Sequence, residues 1–145
     1  TTPHICPRLR EIIHRTFTEH QNALRAGVVI PVPLHRLRER QRGFNQAAII
    51  ARLISRGFGL QLDDRSLKRI KPTERHRAGM DANERAQSVE RAFEVARPGL
   101  IDGGSVLLVD DLYTTGSTIR AASQALLGAG AQQVTVLTIA RVGER

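Results

Sequence analysis

One stretch constrains this chain more than any other. Val106-Leu107-Leu108-Val109 is an unbroken aliphatic run that leads directly into Asp110-Asp111 and, two residues later, into Thr114-Thr115-Gly116-Ser117-Thr118. Four apolar residues without polar alternation predict a strand buried on both faces, which is the habit of a parallel sheet covered by helices on each side. An Ala- and Leu-rich segment from Ile119 to Leu127 predicts a helix, closed by Gly128 and Gly130. Residues 134–139 then read as a second apolar strand, so residues 106–139 predict a right-handed βαβ unit. With 3% aromatic residues and no Trp, the core must be built from Val, Ile, Leu and Ala, which suits this architecture.

The remaining segments fit the same plan. Residues 5–26 show weak helical periodicity through Ile5, Leu9, Ile12, Ile13 and Phe17. Val28, Val29, Ile30 and Val32 predict a short buried strand, and Pro31 and Pro33 open its end into a constrained basic loop over residues 34–43. A helix is predicted over 44–55, with Ala47, Ala48, Ile50, Ala51 and Ile54 inward and Gly57 and Gly59 as its stop. A weakly signalled strand is expected within 60–70 and a short one over 92–95. Between them, residues 71–91 are polar, with a helical turn expected over 82–89, and read as a functional loop. The 145 residues divide into an N-terminal helical segment, 1–27, and one α/β domain, 28–145.

In open α/β sheets ligands sit beyond the carboxyl ends of strands. Asp110 and Asp111 stand at such an end, where two adjacent carboxylates repel each other and lose solvent. Ribose hydroxyls or a divalent ion would compensate. The hydroxyls and amides of residues 114–118, at a helix start, form an anion site, and Gly116 lets a ligand approach the backbone closely. Acceptors for sugar hydroxyls beside a phosphate cradle are the inventory for a ribose 5-phosphate.

Rival readings are excluded by specific residues. No G-x-x-x-x-G-K-[ST] segment exists, so this is not a P-loop. A receiver domain needs a later phosphoacceptor aspartate, but the sole acidic residue after Asp111 is Glu144. Cys6 is the only cysteine, which excludes an internal disulfide and a cysteine-only zinc site; no zinc is expected. No apolar run reaches the ~18 residues of a membrane span, so cytoplasmic residence is expected. The net charge of +8 is concentrated in residues 31–77, which hold twelve Arg or Lys against four Asp or Glu. Twenty of the 22 basic residues are Arg, whose planar fork suits phosphate oxygens.

Residues 106–118 resemble the 5-phosphoribosyl-1-pyrophosphate (PRPP) signature of type I phosphoribosyltransferases. Val32-Pro33-Leu34-His35, followed by Arg40 and Arg42-Gly43-Phe44-Asn45-Gln46-Ala47, narrows the resemblance to the ComF family. Thr73, Met80, Arg85, Val89, Ala92 and Phe93 fit that family's middle segment, although His76 and Ser88 stand where Gln and Asn are usual. Thr114 stands where purine-salvage transferases carry an Asp. The family usually has an N-terminal four-cysteine zinc finger, where Cys6 stands alone here: either the finger is lost or the chain begins after it.

The resemblance implies a type I phosphoribosyltransferase fold with a flexible hood over residues 71–91. It implies that Asp110 and Asp111 hold the ribose hydroxyls with Mg²⁺ nearby. Thr114, Thr115, Gly116, Ser117 and Thr118, with Leu112 and Tyr113 leading in, would bind the 5-phosphate. Val32, Pro33, Leu34, His35 and Arg36 would form the pyrophosphate loop. Arg75, Arg77 or Arg85 would stabilise departing pyrophosphate in an oxocarbenium-like reaction. Arg40, Arg42, Asn45, Gln46 and Arg85 are candidates for hood or nucleic-acid contacts. Three functions stay open: transfer to an unknown acceptor, an accessory role in DNA uptake with single-stranded DNA and a helicase as partners, or PRPP sensing without turnover. A homodimer is also left open.

Overall fold

The computed structural model describes residues 5–24, 26–70 and 92–143. Four parallel strands form the main sheet. They are β1 (Val28–Pro31), β2 (Gln61–Leu62), β5 (Ser105–Tyr113) and β6 (Gln133–Arg141), in the order β2-β1-β5-β6. A separate antiparallel pair, β3 (Leu67–Arg69) and β4 (Phe93–Val95), aligns Leu67 with Val95 and Arg69 with Phe93. The helices are α1 (Pro7–Glu19), α2 (Arg36–Arg42), α3 (Gln46–Phe58) and α4 (Ser117–Gly128). A single 3-10 turn, Pro98–Leu100, precedes β5.

Strand alternation sorts the core into two layers. Val28, Ile30 and Val32 share one face with Val106 and Leu108, and this face is covered by α4 residues Ile119, Ala122 and Leu126 and by Leu67 and Phe93 of the small sheet. Val29 shares the other face with Leu107 and Val109, covered by Ile50, Ala51 and Ile54 of α3 and by Ile13 and Phe17 of α1. Because both faces of β1 and β5 are covered, neither strand tolerates a polar residue in its middle, which is why both read as unbroken apolar runs. Each fully buried Leu or Ile contributes roughly 1.5–3 kcal/mol relative to exposure. Phe17 also stacks on Phe58 with ring centroids 4.0 Å apart, which ties α1 to the end of α3.

Several expectations change in detail. The helix expected over 5–26 is confined to Pro7–Glu19, with Ile12 exposed and Ile13 and Phe17 inward. The basic loop contains a helix, α2, because Leu37, Arg38, Glu39, Arg40 and Gln41 are good helix formers and Arg40 and Arg42 suit its carboxyl end. Gly57 lies inside α3; the stop is Gly59, in the left-handed region at φ 67°. The region 60–70 holds two strands in two different sheets. The strand expected to end at Val109 runs on to Tyr113, because β6 continues beside it as far as Arg141. Residues 71–91, with the expected hood and helical turn, lie outside the described residues. Among the described residues, no helix is long and apolar enough to cross a membrane.

Candidate phosphoribosyl site

The sheet has a switch point. From β1 the chain passes through α3 to β2 on one side, and from β5 it passes through α4 to β6 on the other. The crevice therefore opens between the carboxyl ends of β1 and β5, where ligands bind in this architecture. β1 pairs with β5 up to Pro31 opposite Val109, and the Val32 N–H donates to the Val109 carbonyl at 2.8 Å. Beyond that point β1 departs while β5 continues, paired among the described residues only with β6. Asp110, Asp111, Leu112 and Tyr113 thus line an open strand edge.

Asp110 and Asp111 are both half-buried at the base of this edge. Burial pushes the Asp110 carboxyl up from 3.8 to about 6. The Asp111 amide, which donates to Asp110 Oδ1 at 2.9 Å, opposes the rise; the Asp111 charge adds to it, and the Arg69 charge also opposes it. An aspartate held this way gains when hydroxyl donors or a cation arrive. Two carboxylates alone do not make a closed metal cage, and among the described residues no group of three or more His, Cys, Asp or Glu could do so. They do fit Mg²⁺ carried by a phosphorylated ligand, since that ion keeps its waters and needs one or two protein carboxylates.

The loop after β5 has the features of an anion site. Gly116 precedes α4 in the left-handed conformation, φ 78°, and offers no side chain to cap the helix. The first helical hydrogen bond is donated by the Arg120 N–H to the Gly116 carbonyl at 2.9 Å, so the preceding amides of the first turn are directed outward. Thr115 Oγ1 accepts from the Ser117 amide at 3.4 Å and its hydroxyl lies 3.0 Å from Ser117 Oγ, which shapes the loop. Thr114, Thr115 and Ser117 are exposed; Thr118 is half-buried. A Cβ at Gly116 would collide with the Tyr113 hydroxyl, so the aromatic ring occupies the space beside the glycine.

On the other wall, Val32 is buried and Pro33, Leu34 and His35 are half-buried. Arg36 opens α2, while Arg40 and Arg42 are exposed on it. Asn45 caps α3: its Oδ1 accepts from the Ala47 amide at 3.0 Å, and its Nδ2 donates to the Val32 carbonyl at 3.0 Å. Its side chain therefore holds the 32–35 loop against α3, a role not visible in the sequence. Gln46, half-buried, begins that helix. Arg75, Arg77 and Arg85 lie outside the described residues.

Two further residues were missed. Arg69, on β3, acts on the Asp110 charge and lies 5.4 Å from the Phe93 ring centroid. Arg141, opposite Tyr113 in the β5–β6 register, lies 5.3 Å over the Tyr113 ring. The signal for Arg141 is register: a strand running parallel to β5 must end beside the 114–118 loop.

Comparison with known proteins agrees with this fold. Residues 41–145 match the phosphoribosyl transferase domain family. Competence protein F of Haemophilus influenzae is 36% identical over 114 residues, which is 78% of this chain and 49% of that protein. Competence protein ComFC of Bacillus subtilis is 33% identical over 79% of this chain and 44% of its own length. The chain thus spans about half the length of the curated relatives it matches. Among solved structures, glutamine phosphoribosylpyrophosphate amidotransferase from B. subtilis superposes with a TM-score of 0.58 at 23% identity, over 90% of this chain and 26% of that one, a likeness of fold.

Proposed function

This chain belongs to the phosphoribosyl transferase domain family, in its ComF branch, and from that premise we propose that it binds PRPP or a closely related phosphoribosyl ligand within a protein that serves DNA uptake. The observation that carries the binding reading is the bared edge of β5, with two half-buried aspartates, leading straight into a helix start with no side-chain cap. The 5-phosphate sits at the outward amides and hydroxyls of residues 114–118, drawn by the helix dipole. The ribose hydroxyls donate to Asp110 and Asp111, which satisfies the Asp110 carboxylate that burial otherwise disfavours. The pyrophosphate points toward the 32–35 loop.

Where Mg²⁺ accompanies the ligand, Asp110 and Asp111 would hold it, and it would supply countercharge for the phosphate oxygens. The chain's own part is to hold the ribose at the strand end and to fix the loop through Asn45.

The DNA-uptake role rests on the names of the relatives, competence protein F and ComFC, and on the +8 charge of this chain, which suits a polyanion. Affinity for single-stranded DNA should fall steeply with salt as counterions are released.

Calorimetric titration of PRPP with Mg²⁺ tests the binding reading. Wild type should bind, and an Asp110→Asn/Asp111→Asn variant should not. Equal binding by both would remove the ribose from the acid pair, and binding by neither would sink the reading. Release of pyrophosphate on adding a nucleophile would identify a transferase.

A further inference from the structure

The two edges of the main sheet are finished differently. At one stands β2, only two residues long, and shortness is a common way to keep an edge from pairing. At the other stands β6, nine residues long, with no strand on its outer side among the described residues. β6 carries none of the usual guards. It holds no Lys, Pro or Gly, and its one charged residue, Arg141, is its last. Its register against β5 keeps a single offset from Ser105 opposite Gln133 to Tyr113 opposite Arg141, so no bulge bends it away.

The strand is also poorly covered. Val106, Leu107, Leu108 and Val109 of β5 are at most 1% exposed, yet no residue of β6 beside them is buried, and Val136 is 38% exposed. Residues 134–139 are all Val, Thr, Leu or Ile, a composition that suits a strand with neighbours on both sides.

Charge and symmetry select the occupant. The +8 excess lies within residues 31–77, whereas residues 105–141, the β5–α4–β6 unit, hold two Asp and two Arg and carry no net charge. A strongly charged partner finds little to read on this edge, and a second copy meets no net repulsion from this unit. A two-fold axis perpendicular to the sheet at Leu137 sets two β6 strands antiparallel and keeps each face of the sheet on its own side. Gln133 then stands opposite Arg141 of the second copy, Val134 opposite its Ala140, Thr135 opposite its Ile139 and Val136 opposite its Thr138. No like charges meet.

We propose that β6 is a homodimer interface, pairing edge to edge with β6 of a second copy so that two four-stranded sheets become one continuous sheet. Strands are parallel within a copy and antiparallel across the axis, so the two candidate phosphoribosyl sites open at opposite ends of the joint sheet. One strand pair buries less than a standard interface, so the dissociation constant is on the order of micromolar.

Sedimentation velocity on the full chain over a concentration series is the test. Wild type should pass from monomer to dimer across the series. Val136→Lys should weaken the dimer at least about tenfold, because it places a charge on both sides of the axis. Gln133→Arg sets a like charge opposite Arg141 and should also weaken it, while Gln133→Arg/Arg141→Glu should restore it. Circular dichroism checks that Val136→Lys is folded; if it is not, the exposed Gln133 series carries the test. A wild type that stays monomeric at every concentration overturns the proposal, and so does a dimer that the folded variants leave intact. Hydrogen exchange gives a third readout. Protection of the 133–141 amides should rise with concentration; protection independent of concentration would assign the edge to another segment of the same chain and overturn the dimer.

Discussion

Two strand–loop–helix units meet at the crevice, and their helices begin in opposite ways. After β1, the chain enters α3 through Asn45, whose side chain closes the helix start and ties it to the Val32 carbonyl. After β5, it enters α4 through Gly116, in a left-handed conformation and without a cap. Asn45 accepts a first-turn amide and anchors a neighbouring loop with one side chain; Gly116 can do neither, and the start of α4 has only the long 3.4 Å bond from the Ser117 amide to Thr115 Oγ1. The difference shows how a single architecture divides labour: one unit makes a fixed wall and the other a receptive surface, by the choice of Asn or Gly at one position.

The largest expected effect comes from closing the open unit. Gly116→Val places a β-branched side chain at positive φ and against Tyr113. PRPP affinity should fall about a hundredfold or more by calorimetry. If affinity is kept, the open helix start is not the phosphate site. Opening the closed unit should do the reverse. Asn45→Ala removes the cap and the loop tie, which lowers stability by about 1–2 kcal/mol, or roughly 3–6 °C in Tm. Ribose 5-phosphate affinity should be unchanged. A fall in binding without a fall in Tm would make Asn45 a ligand contact instead.

The acid pair predicts a pH signature. The folded-state pKa of Asp110 lies above its ordinary value, so protons stabilise the fold as pH falls from about 6 toward 4, and that contribution is lost as pH rises through 6. Asp110→Asn, which carries no charge, should therefore raise stability at pH 7.5 by about 1 kcal/mol after allowance for solvent screening. The gain should vanish near pH 4 in paired urea melts; an equal gain at both values would remove charge burial as its cause. The smallest effect belongs to Arg141. Arg141→Ala loses its contact over Tyr113, worth about 0.5–1 kcal/mol, and should weaken ribose 5-phosphate about twofold. A larger loss would make Arg141 a direct phosphate ligand.

The sequence makes the receptive unit legible and the fixed one opaque, for a physical reason. In residues 106–118 each role falls on neighbours in the chain, so the apolar run, the acid pair and the Gly-containing loop are all visible in one line of text. The role of Asn45 depends on Val32, thirteen residues away, and that of Arg141 on strand register. The helix α2 was hidden because its charged residues read equally as a solvated loop. Likewise, the split of residues 60–70 between two sheets is decided by partners elsewhere, Val28 and Val29 for β2 and Phe93, Glu94 and Val95 for β3. The end of β5 was misplaced because strand length follows the neighbour, and β6 carries no early breaker.

β1 stops four residues short of β5, and this inequality works as a ruler. At the strand rise of about 3.3 Å per residue it leaves a ledge of roughly 13 Å, set by the backbone alone. Side-chain evolution on the ledge can retune what is held there without changing how long an occupant it accommodates. Adding one or two residues to β1 would shorten the shelf in discrete steps, so chain length, rather than chemistry, sets the upper size of its guest.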